Sequence, residues 1–174
     1  MPIPSLTETP AAIETITVGI GHLVGAAAPT RLRALLGSCV GLVLYDRVNK
    51  LGGLAHVVLP TSRGVLDTPG KYADTAVPAL IAEIERRGGR SARGRLIAKL
   101  IGGACMFQIQ ATQNSHPGLN VGQQNHEALD RILTALAIPI VARDVGGATG
   151  RRLTLDTATG AVTIKAPGGQ DYEI

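Results

Sequence analysis

The sequence predicts one α+β domain of mixed, largely antiparallel β-sheets with two principal helices. Three observations carry that prediction. VGLVLYD (residues 40–46) and LGGLAHVVLP (residues 51–60) are apolar, strand-like runs separated by the turn-like RVNK, which reads as a β-hairpin. Two longer stretches repeat their apolar residues at helical spacing. Three strand-like segments then follow one another at the end of the chain, which argues against the strand-helix alternation of a doubly wound sheet.

Taken in order, residues 1–12 (MPIPSLTETPAA) hold three prolines among polar residues and read as a flexible leader to one domain over residues 13–174. TITVGIGHLVG (residues 15–25) alternates β-branched residues with glycine like a strand, and AAAPT breaks it. The hairpin comes next, followed by the Gly- and Pro-containing loop TSRGVLDTPG. In KYADTAVPALIAEIERRGG, Tyr72, Ala76, Leu80, Ile81 and Ile84 fall on one helical face, with Gly88 and Gly89 as the stop. RLIAKLIGGACMF reads as a strand entering a glycine turn, and GLNVGQQNHEALDRILTALAI as a second amphipathic helix from about Gln123. IPIVARDVGG, RRLTLDT and AVTIKAP are the three late strands.

Composition narrows the function. The 174 residues are 45% hydrophobic and 17% charged, which is globular composition, so a core able to hold a site can form. With no Trp, one Phe and three Tyr, the core must be built from Leu, Ile, Val and Ala, and few rings remain to stack on nucleic-acid bases. The net charge of +4 is modest and its basic residues are scattered, so no phosphate-tracking stripe is visible; the charge reads as solvation with a bias toward acidic partners. The N-terminal residues lack a basic segment and an apolar run, and nowhere are there the ~18 consecutive apolar residues of a membrane span. A cytoplasmic protein is expected. In that reducing compartment, two cysteines far apart in sequence are expected as thiols.

One of those cysteines, Cys39, follows Gly37 and Ser38, where flexible backbone lets a substrate carbonyl approach main-chain N–H groups. A thiol is only a few per cent ionised at neutral pH and needs a base. His56 is the obvious supplier. A turn centred on Val48 and Asn49 pairs position 56 with position 41, two residues from Cys39 on the same face, so the two side chains become diagonal neighbours. Taken alone, each residue is better explained as core, a buried small thiol and a histidine satisfied by a backbone carbonyl; taken together with the hairpin geometry, the pair reading stands level with that one. Cys105 in GGACMF could compete as nucleophile, although Ile101, Met106 and Phe107 favour burial there. His22, His116 and His126 show no metal-ligand spacing, and the double glycines at 52–53, 102–103 and 146–147 match no phosphate-loop pattern.

LLGSCVGLVLYD followed by GGLAHVVLP, then PGKYADTAVPAL, IGGACMF, NVGQQN and DVGGATGRR in that order, resembles CheD, the family of bacterial chemoreceptor glutamine deamidases. The resemblance runs from about Thr15 to the C-terminus. It implies a cysteine hydrolase fold of layered sheets and helices, like that of some glutamine-deamidating toxins, with no metal or organic cofactor. It also implies a substrate: glutamine side chains on the cytoplasmic helices of methyl-accepting chemotaxis receptors, converted to glutamate. Cys39 would be the nucleophile, His56 its base, and the backbone N–H groups of Ser38 and Cys39 the oxyanion hole. A second implied partner is the phosphatase CheC. Nucleic acid and direct membrane insertion are not expected. One position departs from the family pattern. A threonine that orients the histidine is usual six residues before the cysteine, and Arg33 stands there. A guanidinium has no acceptor to offer an imidazole N–H, so the sequence leaves the group that orients His56 unassigned. It also leaves open an alternative in which the protein is mainly an adaptor docking to receptor and CheC.

Overall fold

The computed structural model describes residues 12–88, 91–105 and 120–174. The expected leader therefore lies almost wholly outside the described residues, as do Gly89, Met106, Phe107 and His116.

Burial patterns along the strands show how the layers stack. In β4 (Val40–Asp46) and β5 (Leu51–Val57) every residue is buried, whereas β3 (Thr30–Leu36), β8 (Arg151–Asp156) and β9 (Val162–Lys165) alternate between buried and more exposed positions. A strand buried on both faces must lie in a central sheet; an alternating strand has one face toward solvent. The inner sheet has the order β2-β5-β4-β6-β7, with β2 at Leu23–Ala27, β6 at Leu96–Gly102 and β7 at Ile140–Val145. The outer sheet has the order β1-β3-β8-β9-β10, with β1 at Glu14–Thr17 and β10 at Tyr172–Glu173. Among the named strands of the described residues, β1-β3 and β6-β7 pair in parallel and the other pairings are antiparallel. One core, including Leu32, Leu36, Val43, Leu54, Leu153 and Ile164, fills the space between the sheets. A second, including Leu42, Leu44, Leu80, Ile84, Leu129 and Leu133, lies between the inner sheet and two helices, α1 (Ala73–Gly88) and α2 (Val121–Ala135).

The expected hairpin and both helices form as the periodicity requires. Tyr72, Ala76, Leu80, Ile81 and Ile84 are all buried. Asn120 caps α2, its side chain accepting from the Gln123 N–H at 3.0 Å, so the helix starts two residues before Gln123. Two expectations are corrected. The single strand over residues 15–25 is two strands in different sheets: β1 joins the outer sheet, β2 the inner one, and the chain crosses between layers at residues 18–22. Period-2 alternation is the same on either side of such a crossing, so the pattern carries no sign of it. The sequence also left TRLRALL unassigned, yet it forms β3, a central strand of the outer sheet. Its Leu and Ala content is as suited to a helix, and pairing with β1 and β8 decides the outcome.

Asp46 holds the hairpin turn. It is fully buried, and its carboxylate accepts from the N–H groups of Val48 and Asn49, from the Asn49 amide and from Arg95 Nε at 3.0 Å. Burial pushes its carboxyl up, but the hydrogen bonds from Asn49 and Arg95 outweigh that and hold it below the usual range. Asp46→Ala strands these donors and is expected to cost about 3 kcal/mol, read as a fall in the urea midpoint at unchanged slope. A loss under about 0.5 kcal/mol would show that the turn forms without it.

Candidate active site

Cys39 lies in the bend of residues 37–39 that carries the chain from β3 of the outer sheet to β4 of the inner one. The bend is braced from one side. The Gly103 N–H donates to the Cys39 carbonyl at 2.8 Å and the Ala104 N–H to the Gly37 carbonyl at 2.9 Å. Both flanking carbonyls are thus occupied, while among the described residues the N–H groups of Ser38 and Cys39 donate to no protein acceptor. Ser38 is exposed and Cys39 half-buried against the core between the sheets.

His56 is placed by the register that the sequence predicted: Gly41 pairs with His56 across β4 and β5. Leu54 of β5 points between the sheets, and alternation puts His56 on the same side, where it is 3% exposed. The Cys39 and His56 side chains therefore share the inter-sheet side. The histidine main chain is pinned by the layer crossing: its N–H donates to the His22 carbonyl at 2.9 Å, and its carbonyl accepts from Gly21 at 3.0 Å. Its ring Nδ1 meets the Val18 carbonyl at 3.4 Å. A carbonyl only accepts, so that contact requires the proton on Nδ1 and leaves Nε2 with a free lone pair. At this distance the bond is long and weak, yet it selects the tautomer that a base needs.

The group that faces the His56 ring nitrogen is thus a main-chain carbonyl. Arg33 contributes through its own main chain, accepting from the Val18 N–H at 2.7 Å and so helping to fix the carbonyl that His56 uses. Alternation along β3, whose Leu32 and Ala34 point between the sheets, turns the Arg33 side chain to the other face. Its Nε is buried and has no hydrogen-bond partner among the described residues.

Burial is the principal influence on both titrating groups. It pushes the Cys39 thiol up, and it pushes His56 down, against a smaller upward effect of the Val18 hydrogen bond. At neutral pH both groups are accordingly uncharged, Cys39 a thiol and His56 a neutral imidazole. Cys105 is also partly exposed, with its N–H donating to the Gly147 carbonyl at 2.8 Å. His22 enters the site through its main chain alone among the bonds described above, and His126 lies on α2. Among the described residues no group of three or more His, Cys, Asp or Glu side chains is arranged to hold a metal ion.

Comparison with known proteins bears on this arrangement. The family model described as CheD chemotactic sensory transduction matches residues 58–166. A protein of Desulforamulus reducens named "Probable chemoreceptor glutamine deamidase CheD" is 46% identical over 88% of this chain and 91% of its own length. Proteins with the same name from Moorella thermoacetica and Methanococcus maripaludis are 44% and 40% identical, over 89% and 86% of this chain and 92% and 94% of theirs. This chain belongs to the CheD family. A crystal structure of the Bacillus licheniformis hypothetical protein YfiH overlaps 73% of the chain and 51% of its own at TM-score 0.44 and 15% identity, too loosely to bear on fold or function.

The remaining CheD-like motifs converge on the two candidate residues. In IGGAC, Gly103 and Ala104 supply the N–H groups that brace the Cys39 bend. In NVGQQN, Gly122 abuts that brace so closely that an added Cβ would come within 2.4 Å of the Gly103 carbonyl oxygen. Buried Asn125 donates to the Val58 carbonyl at 2.8 Å, just beyond His56. In PGKYAD, the Lys71 carbonyl accepts from Val58 and Leu59, and Asp74 accepts from the Ser62 N–H at 2.9 Å. In DVGGATGRR, Gly146 donates to the Gly102 carbonyl, and largely buried Arg151 donates to the Asp144 carbonyl at 2.7 Å and to the Gly146 carbonyl. Sequence reasoning singled out Cys39 and His56 as candidates. It missed the Val18 carbonyl, which has no side-chain signature, and the supporting role of the loop at residues 102–104.

Proposed function

We propose that this CheD-family chain is a chemoreceptor glutamine deamidase, an amidohydrolase acting on protein glutamine side chains, with Cys39 as nucleophile and His56 as base in one domain over residues 13–174. The observation that carries the assignment of roles is the Val18 contact, which leaves the His56 Nε2 lone pair available on the side of the sheet that Cys39 shares.

In the proposed reaction, Nε2 takes the Cys39 proton as sulfur attacks the glutamine side-chain carbonyl, and the N–H groups of Ser38 and Cys39 receive the oxyanion. The imidazolium gives its proton to the departing nitrogen, and ammonia leaves a thioester. Water then attacks the thioester, losing a proton to His56 Nε2; the C–S bond breaks, the imidazolium returns that proton to sulfur, and glutamate is released. Every step uses this chain's own groups and water. The fold reading is a CheD-like cysteine hydrolase, related to glutamine-deamidating toxins. The receptor's cytoplasmic helices as substrate place the work in the cytoplasm; no helix among the described residues is long and apolar enough to cross a membrane. CheC is proposed as a second partner near the same site.

The test is incubation of purified protein with receptor cytoplasmic fragments from the same organism, followed by peptide mass spectrometry for amide-to-acid conversion. Fragment that is bound but never converted, under conditions where an active CheD converts it, would leave only the adaptor role. The pH profile checks the mechanism. His56 must be unprotonated to act, and burial holds it below its ordinary value of 6.5, so kcat/KM is expected to stay level from pH 8 down past 6.5 and fall only below that. Because burial lifts Cys39 above its ordinary value of 9.0, a rate that instead climbs about tenfold per unit toward pH 9 would indicate a thiolate formed before attack and would count against His56 as base.

A further inference from the structure

Both helices pack on the inner sheet, so the outward face of the outer sheet meets solvent. Beside the Cys39 bend that face holds a groove of about 570 Å³ walled by Leu35, Gly37, Arg152, Lys165, Pro167 and Gly168. Leu35 pairs with Arg152, and Arg152 with Lys165, so the three form one row across β3, β8 and β9. Their neighbours Leu36, Leu153 and Ile164 point into the core, which turns the row outward. Leu35 is 70% exposed. Arg152 is exposed and in no ion pair among the described residues, and Lys165 has only an exposed contact of 3.4 Å with Asp171.

We propose that this groove docks the substrate helix on the flank of the target glutamine, Leu35 taking an apolar residue and Arg152 and Lys165 taking carboxylates. The proposal rests on the deamidase reading. Three features favour an acidic amphipathic helix. An isolated exposed leucine beside two cations matches a surface that is itself apolar and negative. Adjacent strands are about 4.8 Å apart, so the row spans roughly 10 Å, close to two helical turns, and successive contacts match the roughly 5–6 Å spacing of residues three or four apart on a helix. Gly37, moreover, belongs both to the groove wall and to the bend that carries Cys39, so the groove ends two residues along the chain from the proposed nucleophile.

The test uses the full chain and a labelled receptor cytoplasmic fragment. In a Cys39→Ala background, which binds without turnover, adding Arg152→Glu and Lys165→Glu should weaken fragment affinity at least about tenfold at 0.1 M salt, and the difference should largely vanish at about 1 M, where the screening length is roughly 3 Å. With Cys39 intact, the same two changes should raise KM and spare kcat. Unchanged affinity, an equal loss at high salt, or a fall in kcat with KM constant would each overturn the groove. Both cations are on the surface, so the variants should fold; Arg152→Ala with Lys165→Ala provides a milder pair expected to show the same salt dependence at smaller amplitude. Wild-type protein that leaves every fragment glutamine unchanged would sink the deamidase reading, while binding by the Cys39→Ala chain decides the groove independently.

Discussion

Cys39→Ala is expected to abolish conversion of receptor glutamine to glutamate, by more than about 10⁴-fold, while the protein still folds and binds receptor fragments. In the proposed reaction the sulfur forms the thioester bond, and alanine offers nothing in its place. Folding should survive because the thiol is small and only half-buried in a bend whose shape is held by main-chain bonds from Gly103 and Ala104. His56→Ala should be nearly as inactive, and the double variant little worse than either alone, since nucleophile and base act as a unit and their losses do not add. Cys105→Ala is the internal control: it should keep activity, with at most about 1 kcal/mol lost to a small cavity. The readout is the mass change of the target peptide. Substantial activity in Cys39→Ala together with loss in Cys105→Ala would reverse the assignment.

Gly102→Ala should damage activity almost as severely without touching a reacting atom. Gly102 has φ +104°, a conformation that side-chain-bearing residues rarely adopt, and a Cβ there would lie 2.5 Å from the Cys39 carbonyl oxygen and 3.1 Å from Leu36 Cβ. Backbone cannot yield as a flexible side chain would, so either the 102–104 brace or the Cys39 bend must move. The backbone strain alone is about 1–3 kcal/mol, and a displacement of about 1 Å in the bend is enough to cost on the order of 10²-fold in rate. The expected result is a lower urea midpoint together with a kcat loss of that size. Gly94→Ala is the matched control, because nothing lies within 4 Å of a Cβ at that position; it should change stability by less than about 0.5 kcal/mol and leave activity alone. Unchanged kcat in Gly102→Ala would show that the brace does not position Cys39.

These two experiments probe different kinds of information. Cys39 and His56 could be picked from the sequence because thiol and imidazole are rare side chains with distinct chemistry, and because a hairpin register follows from the length of its turn; the observed pairing of Gly41 with His56 is the one that turn length implies. The departure at Arg33 could not be resolved in the same way. Every residue carries a carbonyl, so nothing in the string of letters marks the one at Val18 as the acceptor for His56, and only the return of residues 18–22 between the two sheets puts it there.

The same division applies to the fold. Helical faces such as Leu80, Ile81 and Ile84, and strands such as β4 and β5, were set by local apolar periodicity, which depends only on neighbours along the chain. Which sheet a strand joins was not. The split of residues 15–25 into β1 and β2, the recruitment of TRLRALL as β3, and the close approach of Gly122 to Gly103 arise from partners far away in sequence, whose packing and hydrogen bonds outweigh the weak intrinsic preference of a short segment. By itself the sequence determined the α+β class, the hairpin register and the candidate pair; the tertiary structure decided what orients the histidine, what braces the cysteine, and which face of the outer sheet stands open beside them.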